Sequence, residues 1–193
     1  MTLVQERPST LEQQTVEEFE RFLRLPENLD RLFELIDGEI VEKLPTEEHG
    51  LVAVNLVAAL GSFVKAHKLG RVGVEVRHRL PKDNRNSRMP DVSFTSVRRP
   101  LVKVGSVPQM PDLAIEIQSP DDTIKQLRAK AAYYLENGAR LVWLIYPRKR
   151  LIEVYSLDSD VEILLEGDLL TGADVVPDFS MPVADVFADP FGD

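Results

Sequence analysis

Two acidic residues lie in short apolar runs 25 positions apart in the chain. Asp91 belongs to residues 89–94 and Glu116 to residues 112–117, and in both runs apolar residues alternate with small or polar ones. That alternation predicts two β-strands, each with one carboxylate among apolar neighbours. A buried carboxylate is costly unless it is paired, hydrogen-bonded or bound to a metal. A hard divalent cation, Mg²⁺ or Mn²⁺, shared by the two carboxylates is therefore the chemistry that we expect.

Simpler roles for these acids stay open at the level of the sequence. Asp91 could cap a turn after the proline that precedes it. Glu116 could pair with an arginine of the preceding strand, such as Arg77 or Arg79. Glu75, on that same predicted strand, is an additional candidate ligand.

The helices and strands that must position the acids follow from local patterns. Before Asp91 the sequence first predicts a helix, which the capping box of Thr15 and Glu18 opens and Pro26 ends. A hairpin over 33–42 with an Asp37-Gly38 turn follows, and then a long helix from His49 to about Lys68 with Gly70 as its C-cap. A strand over 72–80 and a polar loop over 82–88 complete this part of the chain. After the two acidic strands it predicts a helix over 121–137, strands over 141–146, 150–156 and 161–165, and an acidic, Pro-containing tail from residue 168. The strand–helix–strand order implies a right-handed parallel crossover. We therefore predict an α/β fold with a mixed central β-sheet flanked by helices, in which residues 1–193 form a single domain.

The charge distribution bears on a nucleic-acid partner. The net charge of −9 argues against one, because attraction to phosphate supplies most non-specific affinity. However, residues 71–150 hold 16 of the 23 lysines and arginines but only 8 of the 32 aspartates and glutamates. Unless these charge runs are only solvated surface, the candidate nucleic-acid contacts are Arg77, Arg79, Lys82, Arg85, Arg88, Lys125 and Arg128.

Composition excludes several other classes of protein. The chain has no cysteine and three histidines, so we expect neither disulfides nor a zinc enzyme. No apolar run approaches the roughly 20 residues of a bilayer span, and residues 1–15 lack a signal-peptide core. We expect a cytoplasmic protein with no membrane partner.

A larger set of residues occurs in a characteristic order. It comprises Asp37-Gly38-Glu39, His49, Pro90-Asp91, Asp112-Leu113-Ala114-Ile115-Glu116, Ser119-Pro120, Lys130, Tyr134, Gly138 and Trp143. This set resembles the Uma-type restriction endonucleases of the PD-(D/E)xK nuclease superfamily, over about residues 15–185. The resemblance implies a restriction-endonuclease-like core and Mg²⁺-dependent (or Mn²⁺-dependent) cleavage of phosphodiester bonds in DNA. It also implies a homodimer or higher homo-oligomer, with the acidic tail either at that interface or shielding the cleft.

The resemblance also implies roles for individual residues. Asp91 and Glu116 would be metal ligands, with the main-chain carbonyl of Ile117 as a third. Glu39 would lie near the metal. His49 either caps and packs its helix or contacts a metal-bound water or a phosphate.

The catalytic lysine is where this chain departs from the superfamily pattern. The pattern has a lysine two residues after the second acid, but the chain has Gln118, which could orient water or bond across the sheet. Similar family members carry a lysine on the next helix, so we expect Lys130 to replace it and to point towards Asp91 and Glu116. We interpret Tyr133, Tyr134 and Trp143 as core aromatics. The alternative function is a catalytically impaired nucleic-acid-binding protein on the same fold.

Overall fold

The computed structural model describes residues 13–157 and 159–192. The helices are α1 (Val16–Phe22), α2 (Glu47–Ala66), α3 (Ile124–Glu136) and α4 (Val183–Val186). The strands are β1 (Leu32–Ile36), β2 (Glu39–Lys43), β3 (Gly70–Val74), β4 (Val92–Ser96), β5 (Leu113–Ile117), β6 (Leu141–Tyr146), β7 (Leu151–Ser156), β8 (Glu162–Leu165), β9 (Leu169–Thr171) and β10 (Ser180–Pro182). Short 3-10 turns lie at Pro26–Asn28 and Pro147–Lys149.

The largest sheet in the described ranges has the strand order β3-β4-β5-β6-β7-β8. All neighbours are antiparallel except β5 and β6, which are parallel and are connected through α3. The predicted mixed α/β fold is therefore confirmed. β4 and β5 are direct neighbours with Val92 opposite Ile115, and this register brings Asp91, the residue before β4, to the level of Glu116.

The two faces of this sheet are covered by different helices. On one face α2 packs through Val52, Leu56, Leu60 and Val64 onto a core that includes Ile115, Ile117 and Trp143. On the other face α3 packs through Leu127, Ala131 and Tyr134 onto Ala114, Val142 and Leu144. Successive strand residues point to opposite faces, so Glu116, between two residues of the α2 face, points to the α3 side.

The β1–β2 hairpin is a separate two-stranded sheet that lies on the same side of the central sheet as α3. Asp37 and Gly38 both have positive φ, 51° and 86°, as a type I′ turn requires, so the predicted turn is confirmed. Leu35 and Ser87 exchange backbone hydrogen bonds of 3.0 and 2.9 Å, which fix the hairpin against the loop before β4. The hairpin thus brings its own side chains to the acidic strands.

Three predicted boundaries are wrong. The strand predicted over 72–80 ends at Val74, because Glu75 takes a left-handed conformation with φ 51°. Gly70 is not a C-cap but begins β3, and Lys68, with φ 56°, makes the turn after α2. Helix α3 begins at Ile124 rather than 121, because Thr123 forms a capping box.

The segment from residue 168 is packed into the domain. Its apolar residues Leu170, Val176, Phe179 and Val183 are buried in the same core as α2. Helix α2 is long and apolar enough, by length and composition, to cross a bilayer, a criterion that core helices also meet. Its contacts with the sheet and with α4 identify it as a core helix.

Candidate active site

A cleft of about 670 Å³ lies between the hairpin, the ends of β4 and β5, and α3. Three buried acids and two lysines line it, and we call these five side chains the acid–lysine cluster: Glu34 of β1, Lys43 of β2, Asp91, Glu116 of β5 and Lys130 of α3. The lysine side chains are only 12% and 13% exposed. The cluster therefore places three carboxylates and two ammonium groups in a largely buried position.

Asp91 is fixed by three donors. Its Oδ2 accepts from the Ile117 backbone N–H at 2.7 Å and lies 3.2 Å from His49 Nε2, while its Oδ1 accepts from the Lys43 ammonium. Lys43 also donates to the Met89 carbonyl at 2.9 Å. Burial acts to raise the pKa of Asp91, but Lys43 and His49 outweigh it and hold that pKa well below its usual range. Asp91 is therefore a carboxylate near neutral pH.

Glu116 has a different electrostatic environment. Its Oε2 lies 2.9 Å from Lys130 Nζ and its Oε1 accepts from the Tyr134 hydroxyl at 2.7 Å. Burial raises the pKa of Glu116, Lys130 opposes that shift, and the negative charges of Glu34 and Asp91 add to it, so the net change is upward. Positive charge added to the cleft would therefore stabilise the ionised form of Glu116.

Lys130 bridges two acids across the cleft. Its Nζ lies 2.7 Å from Glu34 Oε2 as well as 2.9 Å from Glu116. Burial acts to lower the pKa of Lys130, but Glu116 and Glu34 outweigh it and the pKa is raised. Glu34 is held in turn by the Met89 N–H, which donates to its Oε1 at 2.7 Å. Lys130 is therefore a protonated ammonium in this arrangement.

The structure brings some of the predicted site residues together and leaves others apart. Asp91, Glu116, Ile117, His49 and Lys130 all line the cleft. Glu39, exposed at the start of β2, lies at its rim.

Gln118 and Glu75 do not line the cleft. The Gln118 amide donates to the Asp122 carbonyl at 2.9 Å, in the loop that leads to α3. Glu75 contributes only its backbone N–H, which donates to the Asp91 carbonyl at 3.2 Å. The structure therefore places neither side chain in the site roles expected of it: Gln118 holds the loop before α3, and the contact of Glu75 is made by its backbone.

Three members of the site were not predicted from the sequence: Glu34, Lys43 and Tyr134. Glu34 lies between Phe33 and Leu35 in a strand, which is the same signal that identified Asp91 and Glu116. Tyr134 was interpreted as a core aromatic; it is buried, but its hydroxyl binds Glu116. Nothing in its local sequence separates Lys43 from an ordinary surface lysine.

The cleft is lined mainly by acids, not by the basic residues that were predicted to contact nucleic acid. The acidic lining residues are Glu34, Asp37, Glu39, Glu42, Asp91, Glu116, Asp121, Asp122 and Glu136, and the basic ones are Lys43, Arg88 and Lys130. Of the seven basic residues proposed from sequence as nucleic-acid contacts, Arg88 alone is among them. The side chains of Lys82, Arg85 and Lys125 are exposed outside this lining.

The other three candidate contacts are engaged within the protein. Arg77 donates to the Phe33 carbonyl at 2.7 Å, Arg79 pairs with Glu20, and Arg128 pairs with Glu153. An acidic cleft attracts cations, so the charge of this cleft is opposite to that of a basic nucleic-acid groove.

The donor set fits a hard divalent cation. Three carboxylates outnumber the two ammonium groups, and carboxylate oxygen is the ligand type that Mg²⁺ prefers. Within residues 13–157 and 159–192, no group of three or more acids and histidines is already arranged as a metal cage. Because each acid is engaged by a lysine, a cation would have to replace ammonium contacts in order to bind.

Comparisons with known proteins bear on this arrangement. The sequence model of the Uma2 family, described as "Putative restriction endonuclease", matches residues 19–184. A crystal structure from Anabaena variabilis ATCC 29413, described as a putative nuclease belonging to DUF820, has a TM-score of 0.76 and 26% identity, covering 90% of this chain and 97% of that one. A cryoEM structure of a DrdV–DNA complex has a TM-score of 0.36 and 17% identity, covering 62% of this chain and 87% of that one. No curated protein matches the chain at a significant level.

Proposed function

Because the chain belongs to the Uma2 family, whose members are described as putative restriction endonucleases, we propose that it is a metal-dependent nuclease that hydrolyses phosphodiester bonds in DNA. The observation that carries the proposal is the contact of the Lys130 ammonium with Glu116, 2.9 Å away, in the cleft that Asp91 also lines. Two acids and a lysine are the groups that the superfamily pattern requires. Here the lysine comes from a helix instead of from the second acidic strand.

The divalent ion, Mg²⁺ or Mn²⁺, would be held by Asp91 and Glu116 with the Ile117 carbonyl. When bound, it supplies positive charge that stabilises the phosphodiester's oxygens and acidifies a water. His49 and the Ile117 N–H keep Asp91 in one orientation through its Oδ2, and the Tyr134 hydroxyl does the same for Glu116. These contacts pre-orient both acids, which lowers the cost of assembling the site.

Lys130 acts as a donor rather than as a base. While Lys130 contacts Glu116 and Glu34, those two acids hold its pKa above the usual range, so the ammonium is protonated and can donate a hydrogen bond to a phosphate oxygen. Positive charge placed where negative charge develops stabilises the transition state.

The acidic lining favours this function over metal-independent binding of nucleic acid. A binding module would need a surplus of cations in its groove, because phosphate neutralisation supplies the affinity. The cleft has nine acids and three bases instead. Without bound cations it would repel DNA, and a catalytically impaired binder on this fold is the weaker explanation.

Plasmid nicking tests the proposal directly. Purified protein with Mg²⁺ or Mn²⁺ should convert supercoiled plasmid to open-circle or linear DNA, and EDTA should abolish the conversion. Asp91→Ala should be inactive, whereas Asp160→Ala, which removes an exposed acid between β7 and β8, should retain wild-type activity. Cleavage by Asp91→Ala at the wild-type rate would refute the site, and cleavage of RNA but not of DNA would refute the substrate.

A further inference from the structure

We propose that Arg88, stacked on Tyr133, forms the phosphate-binding subsite of the cleft; this inference rests on the proposed nuclease function. A cleft lined mainly by acids needs a cation that can hold a phosphate. Lys43 and Lys130 are already engaged by Asp91, Glu34 and Glu116. Among the described residues that line the cleft, Arg88 is the one cation without a carboxylate in an ion pair.

The guanidinium of Arg88 is held in a fixed position. Its Cζ lies 4.2 Å from the centre of the Tyr133 ring, a cation–π distance. The Tyr133 hydroxyl donates to Asp83 Oδ2 at 2.9 Å, which fixes the ring in turn. Burial and Asp83 raise the pKa of Tyr133 although Arg88 opposes that shift, so the phenol stays neutral and does not cancel the charge of Arg88.

The backbone of Arg88 is equally constrained. Its N–H donates to the His78 carbonyl at 2.8 Å, and the His78 N–H donates to the Arg88 carbonyl at 2.7 Å. The preceding residue, Ser87, is paired in the same way with Leu35. The side chain, which lines the cleft, therefore extends from a backbone segment that is hydrogen-bonded on both sides, three residues before Asp91.

The burial of the Arg88 charge is compensated only in part, by the ring and the hydroxyl of Tyr133. Arg88 is 3% exposed, and within the described chain its Nε is fully buried with no hydrogen-bond partner. A buried charge is costly unless it is paired, and a neutral aromatic face meets that cost only in part. A planar guanidinium matches the oxygens of a phosphate in a two-point contact, which the ring and the clamped backbone would pre-organise here.

Binding of DNA without cleavage is the test, with a fluorescein-labelled 20-base-pair duplex in Ca²⁺ and anisotropy as the readout. Arg88→Met should weaken binding by about 10-fold or more, as expected for loss of a charge-assisted contact. It should also lower the slope of log K against log salt concentration by about one unit, because one phosphate contact is lost. Arg88→Lys should keep the wild-type slope but bind less tightly than wild type, since it retains the charge and loses the fork. Arg98→Met, in the exposed loop after β4, is the charge-matched control and should change neither quantity.

The outcomes separate this inference from the proposed function. If wild type binds and cuts DNA while Arg88→Met keeps the wild-type affinity and salt slope, the subsite is refuted and the nuclease stands. If wild type neither binds nor cuts, both fail. If Arg88→Met does not fold, as judged by circular dichroism, Arg88→Lys decides, because wild-type affinity in that variant would exclude a two-point guanidinium contact.

Discussion

At the scale of single residues, both carboxylates proposed as metal ligands already have an ammonium partner. Lys43 contacts Asp91 and the Met89 carbonyl, and Lys130 spans Glu116 and Glu34. The pKa of Lys43 is raised because Asp91, Glu116 and Glu34 together outweigh the effect of burial. Both ammonium groups are therefore charged. They neutralise much of the negative charge of the three acids, which a divalent ion would neutralise in their absence. They differ in that Lys130 spans two acids, so their removal should have different effects.

Lys130→Ala should reduce Mg²⁺-dependent cleavage by about 10²-fold or more, the range typical for removal of one donor that stabilises developing negative charge. Lys125→Ala, one and a half turns earlier on α3 and exposed, should retain wild-type activity. Plasmid nicking per unit of folded protein, with circular dichroism as the folding check, makes the comparison. Equal activity in the two variants would mean that a group other than Lys130 orients the water.

Lys43→Met should bind divalent ions more tightly than wild type. Removal of the Lys43 ammonium frees Asp91 Oδ1 and leaves an excess negative charge in the cleft. We expect an increase of about 10-fold in Mn²⁺ affinity, equivalent to about 1.4 kcal/mol, by isothermal titration calorimetry. Lys125→Met is the matched control. Unchanged or weaker Mn²⁺ binding would show that Lys43 does not compete for the metal position.

At the scale of elements, α3 is attached to the sheet at two polar sites in addition to its apolar packing. One is the acid–lysine cluster and the other is the buried Glu153 on β7. Glu153 accepts from Arg128 Nε at 3.1 Å and Nη2 at 2.5 Å, and from the hydroxyls of Tyr146 and Tyr155 at 3.0 and 2.7 Å. These contacts determine how α3 lies on the sheet and therefore where Lys130 is presented. A change in how α3 lies on the sheet should therefore also move Lys130 relative to Glu116.

Glu153→Gln should destabilise the protein in a pH-dependent way. Burial acts to raise the pKa of Glu153, but Arg128 and the two tyrosines outweigh it, so the folded-state pKa lies below the unfolded one. The carboxylate's stabilisation is then present above about pH 4.3 and is lost as the pH falls through the folded-state pKa. Because Arg128 is half-exposed, we expect a loss of about 1 kcal/mol at pH 7.

Urea unfolding of the Glu153 variant at pH 7, 5 and 3 measures this effect. The difference from wild type should shrink as the pH falls. Glu166→Gln, which removes an exposed partner of Arg150, should differ from wild type by at most about 0.5 kcal/mol at every pH. A Glu153 deficit that stays constant down to pH 3 would contradict the assigned pKa direction.

At the scale of the whole molecule, the C-terminal segment completes the core on the α2 side. Phe179 stacks on Trp143 with ring centres 6.1 Å apart and contacts Phe63 of α2 edge-on at 5.5 Å. Asn55 of α2 donates to the carbonyls of Val186 and Ala188. Within residues 168–192 the acidic side chains are exposed, while large apolar side chains such as Phe179 pack inside the core.

A chain that ends at Gly167 should lose cooperative folding, because at least four large buried side chains would be removed from the core. Loss of each such side chain costs about 2–5 kcal/mol, and a domain of this size has about 5–15 kcal/mol in total. A chain that ends at Ala188 keeps every one of these contacts and should unfold with a wild-type midpoint. Differential scanning calorimetry of both chains provides the measurement, and a normal transition in the shorter one would refute the role of this segment.

Local patterns in the sequence were sufficient for the features that depend on residues close together in the chain. The type I′ turn at Asp37-Gly38, the capping box of Thr15 and Glu18 and the strands around Asp91 and Glu116 are of this kind. Each rests on backbone preference or side-chain alternation within a few residues. The position of Lys130 could be predicted only from the family resemblance, because no local pattern marks it.

Tertiary structure alone decided the composition of the acid–lysine cluster. Glu34 meets Lys130 across 96 positions and Lys43 meets Asp91 across 48, and both contacts depend on how the hairpin packs against the sheet. It also decided that Arg77 and Arg128, which add to a basic segment in the sequence, are engaged within the protein, so that the cleft is acidic. The sequence alone determines charge per segment, but the direction of each side chain depends on strand register and helix packing. Those are properties of the folded chain, and for this reason the sign of the charge in the cleft could not be predicted from the sequence.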